Sequence, residues 1–205
     1  MLSGGAGLGK FHYGVIKALW EQDLLPRVIC GTSIGSAIGA SICVFKRDEL
    51  PMLFLHEVTL YHGIVQGKFK DYYDLMYKVF YKNDIFLNID QVKAWARNHL
   101  EDLTFKEIYE KNGWILNIGV TDEKMNTQRV CNYLTTPDVV VWSAVCCSCS
   151  LTEVFGMQEL YVKTSKGNIE PYHTENNEFI DKPFNSGLFK YVDGCFSNDL
   201  PYERI

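Results

Sequence analysis

The sequence predicts an α/β fold that starts from a parallel strand–helix–strand unit. Three observations favour it. A glycine-rich loop lies directly before a stretch with helical spacing, a short apolar strand follows that stretch, and the strand ends in a glycine-flanked turn before a second helix of small residues. This order is typical of a βαβ crossover. We therefore expect the two glycine turns to lie on adjacent strand ends.

The elements of this unit follow one another closely. Positions 11–21 carry apolar residues at helical spacing, with Val15 and Ala18 on one stripe. Positions 27–30 form a short apolar strand, and positions 34–45 form a helix rich in Gly, Ala and Ser. A strand normally takes about five residues, and too few residues precede the glycine loop for the strand that should feed it. We expect the sequence to be a segment of a longer protein.

The remainder of the chain alternates helices and strands. Thr104 and Glu107 form a capping box, and the helix that they begin ends near Asn112-Gly113. Positions 151–188 are long, polar and rich in Gly, Asn and Pro, so we expect a variable loop or hairpin insertion there. The other predicted elements are an aromatic-rich helix at 50–82, a helix ending at 100, strands at 114–120 and 129–134, a helix from 137 to 147 and a strand at 189–192.

The composition fits one globular domain over 1–205. The chain has 205 residues, of which 47% are hydrophobic and 22% are charged, and this balance is enough for a substantial core. The net charge of −5 does not favour nucleic acid, and it would not attract the chain to an anionic membrane either. The longest apolar stretches fall short of the roughly 20 residues that a spanning helix needs.

The seven cysteines are best explained as packed thiols in a reducing, intracellular compartment. Their number is odd, no secretory signal opens the sequence, and they are too sparse for a disulfide scaffold. The cluster Cys146-Cys147-Ser148-Cys149 lacks a second pair with zinc spacing. We expect neither a metal nor another cofactor.

The glycine-flanked turn is a G-x-S-x-G elbow formed by Gly31, Thr32, Ser33, Ile34 and Gly35. Such a turn exposes the serine hydroxyl between a strand and a helix, and the glycines prevent clashes with the neighbouring backbone. Ser33 is therefore a candidate nucleophile. The N–H of Ile34 is a candidate oxyanion donor, because the helix directs its first amides at the site.

The loop from Gly4 to Gly9 has three interpretations. A dinucleotide loop fails because Lys10 stands where the last glycine belongs and Arg27 stands near the expected acid. A phosphate loop fails because no G-K-[ST] closes it. An oxyanion loop remains, in which backbone N–H groups stabilise developing negative charge.

A serine nucleophile needs a base, and the sequence offers two arrangements. Asp193 ends an apolar strand and precedes Gly194, as a base at the rim of a sheet should. Alternatively, His173 with Asp122 or Asp138 follows the order Ser, acid, His of common α/β hydrolases. That fold places several strands before its elbow, whereas this chain has room for two.

Together these motifs resemble the patatin-like phospholipase family, which pairs a glycine-rich oxyanion loop with a G-x-S-x-G elbow and a D-G motif late in the core. The resemblance runs from Gly4 to Asp193 and is strongest to the triacylglycerol lipase branch of fungi and plants. The segments that carry it are Ser3 to Val15, Thr104 to Val120, Trp142 to Cys146 and Asp193 to Pro201.

The resemblance implies a three-layer fold with a mainly parallel central sheet and helices on both faces. It implies that Ser33 is the nucleophile and Asp193 its proton acceptor, with the oxyanion loop formed by Gly4, Gly5 and Ala6. Ala6 stands where the family has a third glycine.

The implied activity is hydrolysis of lipid esters, triacylglycerol first, through an acyl-enzyme. Phospholipase A, lysophospholipase or lysophospholipid acyltransferase activity on the same dyad is the alternative, and a lipid-surface binding protein is the non-enzymatic one. The expected partners are neutral lipid or phospholipid at a lipid droplet or at the cytosolic face of a membrane, without nucleic acid. The oligomeric state stays open.

Overall fold

The computed structural model describes residues 1–54, 89–122, 127–150, 158–172 and 191–193 of the chain. After a 3-10 turn at Ala6–Gly9, the helices are α1 (Lys10–Glu21), α2 (Ile34–Cys43), α3 (Ile89–Leu100), α4 (Phe105–Asn112) and α5 (Val141–Ser148). The strands are β1 (Val28–Gly31), β2 (Ile115–Asp122), β3 (Thr127–Cys131), β4 (Tyr161–Lys163), β5 (Ile169–Pro171) and β6 (Tyr191–Asp193). This alternation of helices and strands confirms the α/β class.

The main sheet is mixed over the described residues, with β2 at its centre. Strand β1 runs parallel to β2, and Leu2 forms a parallel bridge to Gly31 on β1, as the predicted βαβ unit requires. Strand β3 is antiparallel to β2 because only 123–126 separate the two, and a parallel pair needs a crossover of a dozen or more residues. Strand β6 is also antiparallel to β2.

Helix α2 is the centre of the hydrophobic core. Every residue of α2 after Ile34 is buried, and the helix packs against β1, β2 and α5. Gly39 lets it approach the sheet closely, since a Cβ there would lie 3.1 Å from Ile29 Cγ2. The small residues that marked this helix in the sequence therefore serve its close contact with the sheet.

The ends of two helices show how the sequence sets local structure. The predicted capping box is confirmed: Thr104 Oγ1 accepts from the amide of Glu107, and the Glu107 carboxylate accepts from the amide of Thr104. Gly113 ends α4 in the left-handed conformation, at φ 76°. Helix α2 ends at Cys43, two residues before its predicted end, and the side chain of Asn112 donates to the carbonyls of Cys43 and Val44.

One predicted helix start was wrong. The sequence placed the first turn at Pro137, but α5 begins at Val141. Val139 and Val140 instead form isolated β-bridges with Val162 and Thr104. These two valines are fully buried between neighbouring segments, and their β-branched side chains favour extended backbone.

The predicted insertion contains the hairpin β4–β5, within the described residues 158–172. The hairpin is anchored by Ser143, whose hydroxyl accepts from the Tyr161 amide, and by Lys163, whose ammonium donates to the carboxylate of Glu107 at 2.7 Å. Burial by itself would raise the pKa of Glu107, but the bonds from Lys163 and Thr104 hold that pKa below its usual value. This part of the insertion is therefore attached to the body of the fold.

Most of the predicted 50–82 helix lies outside the described residues, which show helix at 50–54. Within the described part of the chain, no helix is long and apolar enough to cross a membrane.

Candidate active site

Ser33 has the backbone conformation of a nucleophile elbow. Its φ of 51° and ψ of −130° are rarely adopted by a residue with a side chain, so the neighbouring structure must hold it there. Gly31 and Gly35 make the turn possible. A Cβ on Gly31 would lie 2.3 Å from Gly35 O, and a Cβ on Gly35 would lie 2.2 Å from Leu2 O. Both distances are far below contact, so both glycines are required, as the motif predicts.

The backbone of Ser33 is bonded on both sides. Its carbonyl accepts from the hydroxyl and the amide of Ser36, at 2.6 and 2.9 Å. Its amide donates to Ser148 Oγ at 2.9 Å, and Ser148 Oγ donates to Gly119 O at 2.6 Å. The elbow is thus tied to α5 and β2 as well as to its own helix. Because the Ser33 amide already has an acceptor, it is not available as an oxyanion donor.

The glycine loop lies beside the elbow. The amide of Leu2 donates to Cys30 O at 2.7 Å, and the carbonyl of Leu2 accepts from the Thr32 amide at 3.2 Å. Leu2 is therefore bonded on both sides of Gly31. Since the bridge is parallel, the loop leaves this short segment at the same end of the sheet at which β1 enters the elbow. The loop and the elbow also pack together, because a Cβ on Gly9 would lie 2.5 Å from Ile34 Cγ1.

The predicted oxyanion donors lie in two segments of this loop and elbow. Gly4 and Gly5 follow the bridging Leu2 after one intervening residue, and Gly5 has a φ of 137°, which favours glycine. Ala6 begins the 3-10 turn that leads into α1. On the elbow side, the N–H of Ile34 is the first amide of α2, and it has no acceptor within the described part of the chain.

The register of the sheet brings the backbone of Asp193 to the elbow. On β2, Gly31 is opposite Ile118 and Asp193 is opposite Val120. At Ile118, β3 pairs with one side of β2 and β1 pairs with the other side. Strand β3 remains paired with its side of β2 as far as Asp122. Strand β6 must therefore share the edge of β1. Asp193 and Gly31 are therefore opposite positions two residues apart on β2, which corresponds to about 7 Å along the strand.

The alternative base, His173, lies outside the described residues. Gly194 and the side chain of Asp193 also lie outside them. Of the described histidines, His12 donates from Nε2 to Ser3 O at 3.0 Å and so supports the glycine loop, while His99 is bonded within its own helix, to Trp95 O. Asp122 is opposite Tyr191, at the far end of β6 from the elbow.

The thiols of Cys30, beside the elbow, and Cys43, at the far end of α2, are buried and neutral. Burial raises the pKa of Cys30, on β1, to about 11, and it raises the pKa of Cys43, at the end of α2, well above its usual value. Six cysteines are described and all are free, five of them buried, as the packed-thiol interpretation predicts. Among the described residues no group of His, Cys, Asp or Glu could hold a metal ion.

Sequence reasoning missed Ser148. The sequence places it in the cysteine cluster that we interpret as packed, and the residue is indeed buried, with 0% of its surface exposed. Its bond to Ser33 spans 115 residues of sequence, and its bond to Gly119 spans 29. No local spacing signals such a contact.

Comparison with known proteins agrees with these features. A family model described as patatin-like phospholipase matches residues 1–204. Triacylglycerol lipases 4 and 5 of Saccharomyces cerevisiae are 37% and 34% identical, and triacylglycerol lipase SDP1L of Arabidopsis thaliana is 36% identical, each over 100% of this chain. This chain covers 22%, 27% and 25% of those proteins, so it spans about a quarter of their length.

A solved structure, that of the type III effector protein ExoU, covers 75% of this chain and 40% of its own, with 19% identity and a TM-score of 0.42. The family model spans almost every residue of the chain, including the glycine loop, the elbow and Asp193. The chain belongs to the patatin-like phospholipase family.

Proposed function

We propose that this chain is the catalytic region of a lipid ester hydrolase of the triacylglycerol lipase type, which works through a dyad of Ser33 and Asp193. One observation carries the proposal: a serine in a strained elbow at the N-terminus of α2 shares a sheet edge with the strand that ends at Asp193. A strained residue at a helix N-terminus is a common feature of catalytic sites.

The proposed reaction has two halves. Asp193 takes the proton of Ser33 as the serine oxygen attacks the ester carbonyl, and the amides of Gly4, Gly5, Ala6 and Ile34 stabilise the oxyanion. The alcohol then leaves with the proton that Asp193 had taken, and an acyl group stays on the serine. Asp193 takes a proton from the water that attacks this acyl-enzyme, the proton returns to Ser33 Oγ, and the fatty acid is released.

Triacylglycerol is the substrate that the relatives favour, because three of the most similar proteins bear the name triacylglycerol lipase. Further relatives from Pyricularia oryzae and Neurospora crassa are named patatin-like phospholipase domain-containing proteins, at 31% and 34% identity. Phospholipid hydrolysis is therefore the second candidate. Either substrate implies work at a lipid surface, and we propose a lipid droplet or the cytosolic face of a membrane.

Substitution of the dyad tests the proposal. Ser33→Ala and Asp193→Asn should each reduce release of fatty acid from triolein at least about a thousandfold, because the step needs both the nucleophile and its base. Matched controls are Ser41→Ala, which removes a buried hydroxyl of α2 that is bonded to Ala37 O, and Asp48→Asn at an exposed position. Both controls should keep activity within about twofold, since neither touches the site.

A fluorophosphonate probe separates an enzyme from a lipid-binding protein. Labelling of the wild type at Ser33, absent in Ser33→Ala, is the expected result. Lack of labelling in folded wild-type protein would favour the binding protein instead. Full activity in Asp193→Asn would exclude Asp193 as the base and would favour His173 in that role. Parallel assays on triolein and phosphatidylcholine decide between the two substrates.

A further inference from the structure

The hydroxyl of Ser148 connects the backbone of the proposed nucleophile to the central strand. Ser148 lies at the C-terminal end of α5 and is 0% exposed. Its Oγ donates to Gly119 O at 2.6 Å and accepts from the amide of Ser33 at 2.9 Å. Because the hydroxyl proton is used on Gly119, its lone pair is directed to Ser33, and both bonds are satisfied by one group.

The amide that Ser148 binds belongs to the residue with the least favourable backbone in the elbow. At φ 51° and ψ −130°, Ser33 keeps its conformation only if its surroundings determine it. The hydrogen bonds to its carbonyl come from Ser36, on its own helix. Among the described residues, the bond from its amide to Ser148 is the one that reaches another element.

The far end of this connection lies between the two halves of the proposed dyad. Gly119 separates Ile118, which is opposite Gly31, from Val120, which is opposite Asp193. A Cβ on Gly119 would lie 2.7 Å from Thr32 Cγ2, so the strand and the elbow are in direct contact here. A shift of Ser33 relative to Gly119 is therefore a shift relative to the strand position that holds Asp193.

We propose that Ser148 is a positioning residue for the reaction, and this rests on the proposed function of Ser33. Its hydroxyl fixes the Ser33 amide, and through it the direction in which Ser33 Oγ faces the oxyanion loop and Asp193. The same bond keeps the Ser33 amide out of the oxyanion site. The oxyanion must then be stabilised by the glycine loop and the Ile34 amide.

Ser148→Ala tests this role, with Ser150→Ala as the matched control. Ser150 is equally buried and two residues later, but its hydroxyl donates to Cys146 O, a local contact with the last turn of α5. Each variant replaces one buried hydroxyl by hydrogen and changes nothing else. The assay measures kcat and KM on p-nitrophenyl butyrate, the rate of fluorophosphonate labelling of Ser33, and the unfolding midpoint.

We expect Ser148→Ala to lower kcat and the labelling rate about tenfold to a hundredfold, with KM within about twofold, because only the alignment of the nucleophile is lost. Ser150→Ala should lose a similar amount of stability yet keep both rates within about twofold. Equal rates in the two variants, measured well below both unfolding midpoints, would overturn the proposal and assign Ser148 a structural role alone.

A cysteine series covers the case in which Ser148→Ala does not fold. Ser148→Cys keeps the shape of the side chain, but sulfur is a weak acceptor, so kcat should lie between those of the wild type and the alanine variant. Ser150→Cys is its control and should retain the wild-type kcat. Equal kcat in both cysteine variants would also overturn the proposal. A folded wild type that neither hydrolyses the ester nor labels at Ser33 would instead contradict the proposed function.

Discussion

Helices α1 and α2 differ in burial, although each follows a glycine turn beside the candidate site. Gly35 through Cys43 on α2 are all buried. Helix α1 buries Tyr13 and Ile16 but leaves Phe11 and Val15 exposed. The proposed nucleophile therefore lies on a helix enclosed by the core, whereas the oxyanion loop leads into a helix with only one packed face. We infer that added side-chain volume is excluded on α2 and tolerated on the exposed face of α1.

The largest expected effect is that of Gly35→Ala, at the start of α2. Its Cβ would lie 2.2 Å from Leu2 O, a backbone atom that is itself held by the bridge to Gly31. We expect a loss of at least about 3 kcal/mol in the free energy of unfolding, which exceeds ordinary overpacking because a backbone must move. Urea unfolding followed by circular dichroism measures it.

Gly39→Ala is the control one turn later on the same helix. Its Cβ would lie 3.1 Å from Ile29 Cγ2, the end of a side chain that can adjust, so a loss of about 1 kcal/mol is expected. An equal urea midpoint for the Gly35 variant and the wild type would contradict the inference that α2 has no room for added side-chain volume.

A matched pair of truncations measures the difference in burial directly. Ile42 on α2 is 0% exposed and Val15 on α1 is 58% exposed. Ile42→Ala should cost about 2–5 kcal/mol of unfolding free energy, because it leaves a cavity in the core. Val15→Ala should change stability by less than about 0.5 kcal/mol. Equal losses in the two variants would show that the exposed face of α1 is packed like the core.

The sequence could predict the features that depend on neighbouring residues. The elbow is local, because the strain at Ser33 and the clash that a Cβ on Gly31 would make with Gly35 O both arise within the motif from Gly31 to Gly35. The capping box of α4 is local for the same reason, since its bonds join Thr104 and Glu107. In both cases steric and hydrogen-bonding rules act over one helical turn.

Other features depend on which segments the fold brings together. The helical spacing in α1 marked Val15 and Ala18 as one stripe, but the face with Tyr13 and Ile16 packs inward. Spacing predicts that a helix forms and does not decide which of two apolar faces the core covers. The same limit applies to Ser148, whose contacts are set by the packing of α5 on β2. The proximity of β6 to the elbow follows from sheet register, which a single sequence does not contain.

The smallest expected effect among the glycine substitutions has the opposite sign and belongs to α1. Gly14 lies inside this helix, and a Cβ there would meet no atom within 4 Å. Gly14→Ala should therefore stabilise the protein by about 0.5–1 kcal/mol, because alanine loses less backbone entropy than glycine on forming a helix. The unfolding midpoint should rise by roughly 1–4 °C with unchanged kcat on a soluble ester. A decrease instead would mean that something covers the outer face of α1 in the folded protein. Helices α1 and α2 would then differ in what covers them, and both would be enclosed in the folded protein.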